Sequence, residues 1–148
     1  MADAYNFETE YKRYQEALKK TNELNKAAVF HALAEAGIQR VTVTFDGEGD
    51  SGQTDEAIGY KNDEAIGLPE SSLTIHAVAW GSETITGAIG SLSEAIESLC
   101  YGYLSEAHGG WENNDGAFGE FTFHVSERRI ELDFNDRFTD HTNYAYTF

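Results

Sequence analysis

Two short apolar runs near the C-terminus constrain this chain more than any other feature in it. Phe121, Phe123 and Val125 alternate with Thr122 and His124, and Ile130, Leu132 and Phe134 alternate with Glu131 and Asp133, on either side of Ser126-Glu127-Arg128-Arg129. A period of two marks a strand with one buried face. Pairing Val125 with Ile130 sets Phe123 opposite Leu132, Phe121 opposite Phe134, His124 opposite Glu131 and Thr122 opposite Asp133, so every pair sorts by polarity. That agreement pins the expected register, because a one-residue slip would turn the apolar set into water. Tyr144, Tyr146 and Phe148 predict a last strand and so a C-terminal meander, although Ala145 and Thr147 are too mild to say which face is buried.

Upstream, the period changes to that of helices. Asn6 is a candidate cap for a helix whose apolar face is Phe7, Tyr11, Tyr14 and Leu18, with Thr21-Asn22 as a candidate break. A second helical stretch, about Glu23 to Ala36, ends at Gly37, a residue suited to a C-cap through its access to positive φ. Val41, Val43 and Phe45 predict a half-buried strand that stops at Asp46-Gly47, and Gly59-Tyr60 and Leu73 to Trp80 read as further strands. Ser91-Leu92-Ser93-Glu94 fits a capping box ahead of a helix with Leu92, Ile96, Leu99 and Tyr103 on one face, ended by His108-Gly109-Gly110. The expected fold class is α+β: an antiparallel sheet ending in the meander, with N-terminal helices and one central helix packed on one face, in a single acidic domain over residues 1–148. A chain of 148 residues suffices for one core that buries ~70% of its unfolded surface.

Composition excludes several classes. Nine Phe, eight Tyr and two Trp separate the chain from acidic disordered proteins, which are poor in aromatics. No apolar window is long enough for a membrane span, and Met1-Ala2-Asp3-Ala4 lacks the basic start of a signal peptide, so a cytoplasmic protein without a membrane partner is expected. The single Cys100 excludes an intramolecular disulfide and a Cys-based zinc site, and reads as a small buried hydrophobe.

Charge is distributed unevenly. From Asn62 to Glu127, 66 consecutive residues hold eleven carboxylates and no Lys or Arg. Five acids balance five bases before Ala27, so the net charge of −16 belongs to the remainder, where 21 acids face 5 bases. A one-signed surface repels itself, and the cost is offset by a positive partner or by a need for solubility.

Two acidic segments stand out. In Phe45-Asp46-Gly47-Glu48-Gly49-Asp50-Ser51-Gly52-Gln53 the carboxylates of Asp46, Glu48 and Asp50 alternate as calcium-loop ligands do. Counted from Asp46, however, the positions that an EF-hand fills with Gly and Glu hold Ser51 and Ala57. An acidic contact loop is expected rather than a metal site. His108-Gly109-Gly110-Trp111-Glu112-Asn113-Asn114-Asp115-Gly116-Ala117-Phe118-Gly119-Glu120 reads as a shaped loop anchored by Trp111 and Phe118, with Glu112, Asp115 and Glu120 outward. A phosphate cradle is disfavoured there, since those acids would oppose the anion and no base is near.

The segments GEGDSGQ and GGWENNDGAFGEF together resemble those of an uncharacterised family of small acidic bacterial proteins associated with mobile elements, over most of the chain after about Val41. The resemblance implies no activity. The context it implies is that of antagonists of host nucleases or restriction systems.

The five histidines, His31, His76, His108, His124 and His141, are scattered, with no HExxH and no nucleophile elbow. No catalytic residue, cofactor or metal is assigned. Carboxylates on one strand face stand about 6.8 Å apart and neighbouring strands about 4.8 Å apart, while duplex DNA carries a phosphate every ~3.4 Å per strand. A sheet face bearing Glu120, Glu131 and Asp133, with Asp46, Glu48, Asp50, Glu112 and Asp115 in the loops, approaches that density. The leading expectation is therefore an acidic inhibitor or DNA mimic, of anti-restriction or anti-CRISPR type, that binds a basic nucleic-acid-binding protein and not nucleic acid itself. A toxin-immunity protein would look the same, a metal-dependent hydrolase using carboxylates and His is the alternative from another class, and a homo-oligomer stays open.

Overall fold

The computed structural model describes residues 2–48, 51–79, 81–107, 116–136 and 142–148. Its first element, α1 (Ala2–Glu35), is one continuous helix. Asn6 therefore lies inside the helix and is not its cap, and the expected break at Thr21-Asn22 is absent. Thr21 turns its hydroxyl back onto the Ala17 carbonyl, 2.7 Å away, which satisfies a buried polar group without leaving the helix. The buried face runs through Thr21, Asn25, Val29 and Leu33 with Asn22 and Phe30 beside it. Tyr14 and Leu18 are only half-buried and Tyr11 is exposed, so these three residues of the expected apolar face border a groove instead of the core, while the fourth, Phe7, has its side chain outside what is described.

Gly37 ends α1 as its residue type predicts. It takes φ 75°, its N–H donates to the Ala34 carbonyl at 3.1 Å, and the Ile38 N–H reaches the Leu33 carbonyl at 3.0 Å. This pair of bonds is a Schellman motif, and Leu33 and Ile38, both buried, supply its apolar contact.

The chain then forms β1 (Arg40–Glu48), β2 (Ser51–Thr54), β3 (Ile58–Lys61) and β4 (Glu64–Ile66), followed by a ribbon of β5 (Ser72–Val78) and β6 (Ile85–Ser91). After α2 (Leu92–Ala107) come β7 (Ala117–His124), β8 (Arg129–Asp136) and β9 (Thr142–Thr147). The main sheet is antiparallel, in the order β4-β3-β1-β7-β8-β9, with β2 also paired to β1; β5 and β6 make a separate two-stranded sheet. The α+β reading holds, with both helices against the inner face and a C-terminal meander.

Alternation decides the inner face. Val41, Val43 and Phe45 of β1, Phe121 and Phe123 of β7, and Ile130, Leu132 and Phe134 of β8 are buried beneath Phe30 of α1 and Leu92, Ile96 and Leu99 of α2. Phe148 stacks on Tyr103 of α2 with ring centroids 4.6 Å apart, which turns the last strand inward. Ser91 caps α2 as expected: its hydroxyl oxygen accepts the Glu94 N–H at 3.1 Å.

The register of the β7–β8 hairpin differs from the expected one by two residues. Phe123 faces Ile130, Phe121 faces Leu132, Gly119 faces Phe134 and His124 faces Arg129. A two-residue shift keeps every side chain on its face, so polarity fixes the face but not the pairing. Packing at Gly119 makes the choice. Phe45 and Phe134 lie on strands either side of that glycine with ring centroids 5.9 Å apart, and a Cβ there would overlap the Asp133 carbonyl oxygen and come within 2.8 Å of the Phe45 ring. Val125 leaves the hairpin ladder for the turn, and its N–H donates to the Gln39 carbonyl at 3.1 Å.

Three strands go unannounced by periodicity. β2 forms because β1 runs past Asp46-Gly47 to Glu48 and folds back, with Asp46 opposite Gln53. β4 follows Asn62 and Asp63 at φ 53° and 64°, the left-handed pair of a two-residue hairpin turn. β6 sets small residues between and after Ile85 and Ile89, and its Gly87 and Gly90 leave room for the Thr74 and Ile75 side chains of β5.

Candidate functional site

The outer face of the main sheet carries the residues that alternation leaves over. Its cross-strand rows run Tyr60, Arg40, His124, Arg129; then Thr42, Thr122, Glu131, Thr147; then Thr44, Glu120, Asp133, Ala145; then Asp46, Phe118, Asn135, Asn143. The face is therefore divided by sign. One end is basic and the other acidic.

At the basic end the Arg40 guanidinium lies over the Tyr60 ring, 4.4 Å from its centroid, and reaches Asp63 at 3.8 Å. Arg129 pairs with Glu127 at 3.0 Å and with Glu131 at 2.9 Å. His124, expected opposite Glu131, meets it diagonally, Nε2 to Oε1 at 3.5 Å, because Arg129 holds the opposite position in the two-residue-shifted register. Glu131 is thus engaged from two sides within its own sheet.

At the acidic end Glu120 and Asp133 are both exposed and stand directly opposite each other on β7 and β8. Asn143 donates its amide to an Asp133 oxygen and to Asn135 Oδ1. Glu120, Thr122, Glu131, Asp133, Asn143 and Tyr146 border a shallow depression of ≈ 380 Å³. Beyond Glu120, Thr44 donates its hydroxyl to Asp55, which brings a carboxylate from the β2–β3 connection to the same row. Asp55 also borders a recess of ≈ 210 Å³ with Glu56 and Glu97. These three acids were not singled out in the sequence, since only the folded sheet and α2 bring them together.

Of the candidate partner-binding residues, Asp46 is exposed on β1, one row from Glu120, and Glu48 closes β1 opposite Ser51. Asp46 pairs with Gln53 and Glu48 with Ser51, so Asp46 and Glu48 belong to a strand and not to an acidic loop. Glu120 and Phe118 are likewise in β7, and Phe118 sits half-buried on the outer face opposite Asp46, so it does not anchor a loop to the core. Asp50, Glu112, Asp115 and Trp111 lie outside the described residues.

Several other ionisable or polar groups make contacts within the fold. His31 pairs with Glu35 one turn on at 3.0 Å. Asn25 brackets the His76 backbone, accepting its N–H at 2.7 Å and donating to its carbonyl at 2.9 Å, which ties α1 to β5. His108 and His141 lie outside the described residues. Burial pushes the Cys100 thiol well up, with Glu97 adding to the effect. Burial also raises the Tyr103 phenol, helped by Glu106, and lowers the Lys26 ammonium against the opposing pull of Glu23. Among the described residues, no three His, Cys, Asp or Glu side chains converge to hold a metal ion, and no helix is long and apolar enough to cross a membrane.

The model of one protein family, described as a family of unknown function (DUF6878), matches residues 21–148. No curated protein and no solved structure matches the chain.

Proposed function

Since the chain belongs to DUF6878, a family that lends it no activity, we propose its role from its own geometry: an acidic, protein-binding inhibitor that occupies a basic groove as nucleic acid would. The observation that carries this reading is the direct opposition of Glu120 and Asp133. Like charges facing across two strands oppose pairing by roughly 0.2 to 1 kcal/mol. A guanidinium or ammonium group lowered between them removes that cost, and the depression beside them leaves room for such a side chain. Asp46 and Asp55 flank the pair and widen the anionic field.

The net charge of −16 supplies the long-range attraction that steers a basic partner in, and the row of Arg40, His124 and Arg129 bounds the field and fixes which way that partner lies. The resemblance to small acidic proteins of mobile elements supports a nuclease, restriction or CRISPR-type defence protein as that partner. In this role the protein works in the cytoplasm, with no catalytic residue and no cofactor.

Affinity capture from a host lysate at low salt, followed by elution on a salt gradient, tests the proposal. It predicts a basic nucleic-acid-handling protein that elutes as salt rises, because exposed charge is screened, and that exchanges DNA or RNA for this chain. A partner that holds nucleic acid and this protein at once, or whose binding ignores salt, would contradict it.

A further inference from the structure

The β5–β6 ribbon leaves one strand edge without a partner among the described residues, and its backbone direction can be deduced. In an antiparallel pair, opposite residues alternate between those that exchange both backbone bonds and those whose groups point away from each other. His76 gives its N–H and its carbonyl to Asn25, so both point away from β6. Gly87, opposite His76, must then point its own N–H and carbonyl away from β5, and by the period of two so must Ile85 and Ile89. These groups line the free edge of β6. Thr86, Gly87, Ala88 and Ile89 are exposed there, Ile89 by 77%.

Edges of this kind are ordinarily guarded by charge, proline or a bulge. In a chain of net charge −16 this one is not: Glu83 is the only charged residue from Ser71 to Ser93, and it lies in the hairpin connection 4.0 Å from Arg13. We infer that the β6 edge is a self-association surface, on which a second copy of this chain adds its own β6 antiparallel to the first. Charge selects that occupant. A basic partner finds one carboxylate against β6, that of Glu94 at its last two residues, which the Ser91 hydroxyl already engages, whereas another copy, which meets like charge over the acidic faces, meets only that one here.

The strand is also self-complementary. A two-fold axis at Ala88 sets Gly87 opposite the partner subunit's Ile89 and Ile85 opposite the partner subunit's Ser91, which brings outward-pointing groups onto outward-pointing groups. Each exposed isoleucine then lies beside a residue with no side chain, against the Thr74 methyl group that leans over that glycine. Two seven-residue strands bury less than the ~1,200 to 2,000 Å² of a stable interface. The dimer is consequently reversible, and salt strengthens it by screening two anionic bodies, the opposite of the salt response of the acidic face.

Sedimentation of the full chain from micromolar to millimolar concentration, at low and high salt, tests the inference beside two variants. Ile89→Pro removes an outward N–H and leaves the β5 ladder intact, since proline is tolerated at an edge. Ile89→Lys adds the missing guard charge at an exposed position and serves if the proline variant fails to fold. The parent should dimerise more at high salt, and each folded variant should weaken that association by roughly tenfold or more. A parent that stays monomeric at millimolar concentration, a dimer that high salt weakens, or one that Ile89→Lys leaves intact would overturn the inference. None of these results bears on partner binding by the acidic face.

Discussion

The outer face of the main sheet and the β5–β6 ribbon are both solvent-exposed antiparallel surface, yet they are built on opposite terms. The sheet face is charged in ordered rows and rests on a core that admits one register, with Gly119 locked between Phe45 and Phe134. The ribbon carries one charge in 23 residues, from Ser71 to Ser93, and Gly87 and Gly90 of β6 meet side-chain atoms, chiefly of Thr74 and Ile75, and no backbone. The contrast shows what each surface is fit for. Rows of fixed charge need a rigid base to hold their spacing, and a neutral edge needs freedom to receive another strand.

The largest effect should come from breaking that rigid base. Gly119→Ala places a methyl group against the Asp133 carbonyl, which is backbone and cannot give way, so a loss of about 3 kcal/mol or more is expected in denaturant unfolding. Gly87→Ala in the ribbon should cost clearly less, because Thr74 can turn its methyl aside. Equal losses at the two glycines would erase the distinction between the regions.

Next in size is the tie between helix and ribbon. Asn25→Ala leaves the outward N–H and carbonyl of His76 without their buried partner, at a cost of roughly 2 kcal/mol. Amide exchange should accelerate in β5 and β6 before it does in β7 and β8. A uniform rise over all four strands would show that the ribbon is no separate unit of stability.

The core under the sheet sets an alkaline limit. The Cys100 thiol is raised by burial, so the folded state keeps its proton where the unfolded chain releases it. Its contribution to stability is present in full below the unfolded value of about 8.5 and is lost as pH climbs from there toward the folded value, by at most about 1.4 kcal/mol per unit. Tyr103, raised in the same sense, adds to the fall above about 10. Cys100→Ala, compared with the parent in pH-resolved melting, should flatten the first part of this decline. An unchanged slope would place its cause elsewhere.

The smallest effect on stability is expected at the acidic row. Glu120→Gln with Asp133→Asn removes a facing like-charge pair, so melting should hold steady or rise, by less than about 1 kcal/mol. A marked loss would mean that the two carboxylates serve the fold.

The two regions were also unequally legible in the sequence. Alternation revealed the inner face at Val41, Val43 and Phe45 and along β7 and β8, though not in β9, and residue type revealed the Gly37 and Ser91 caps. Pairing was less accessible. Polarity has period two and cannot tell one register from another shifted by two, so Asp133 was expected opposite Thr122, and the opposition of Glu120 and Asp133, central to the proposed site, was hidden. Only the steric demand at Gly119 resolves it. The Asn62-Asp63 turn was a readable signal for the β3–β4 hairpin, since paired left-handed residues favour that turn. β6 offered little, because the glycines and alanine between and after its two isoleucines carry no polarity pattern, and α1 concealed its continuity because Thr21 and Asn22, polar residues typical of a break, are buried by packing that local propensity does not contain.

The proposed role requires that the acidic half of the sheet face receive cationic side chains. Titration of an oligo-arginine peptide into isotope-labelled protein at low salt, followed residue by residue through amide chemical shifts, tests it most directly. Shifts should centre on Asp46, Glu120 and Asp133, spare β6, and be largely lost in the variant carrying Glu120→Gln and Asp133→Asn. Shifts spread evenly over α2 and the remaining acids, or unchanged in that variant, would contradict it.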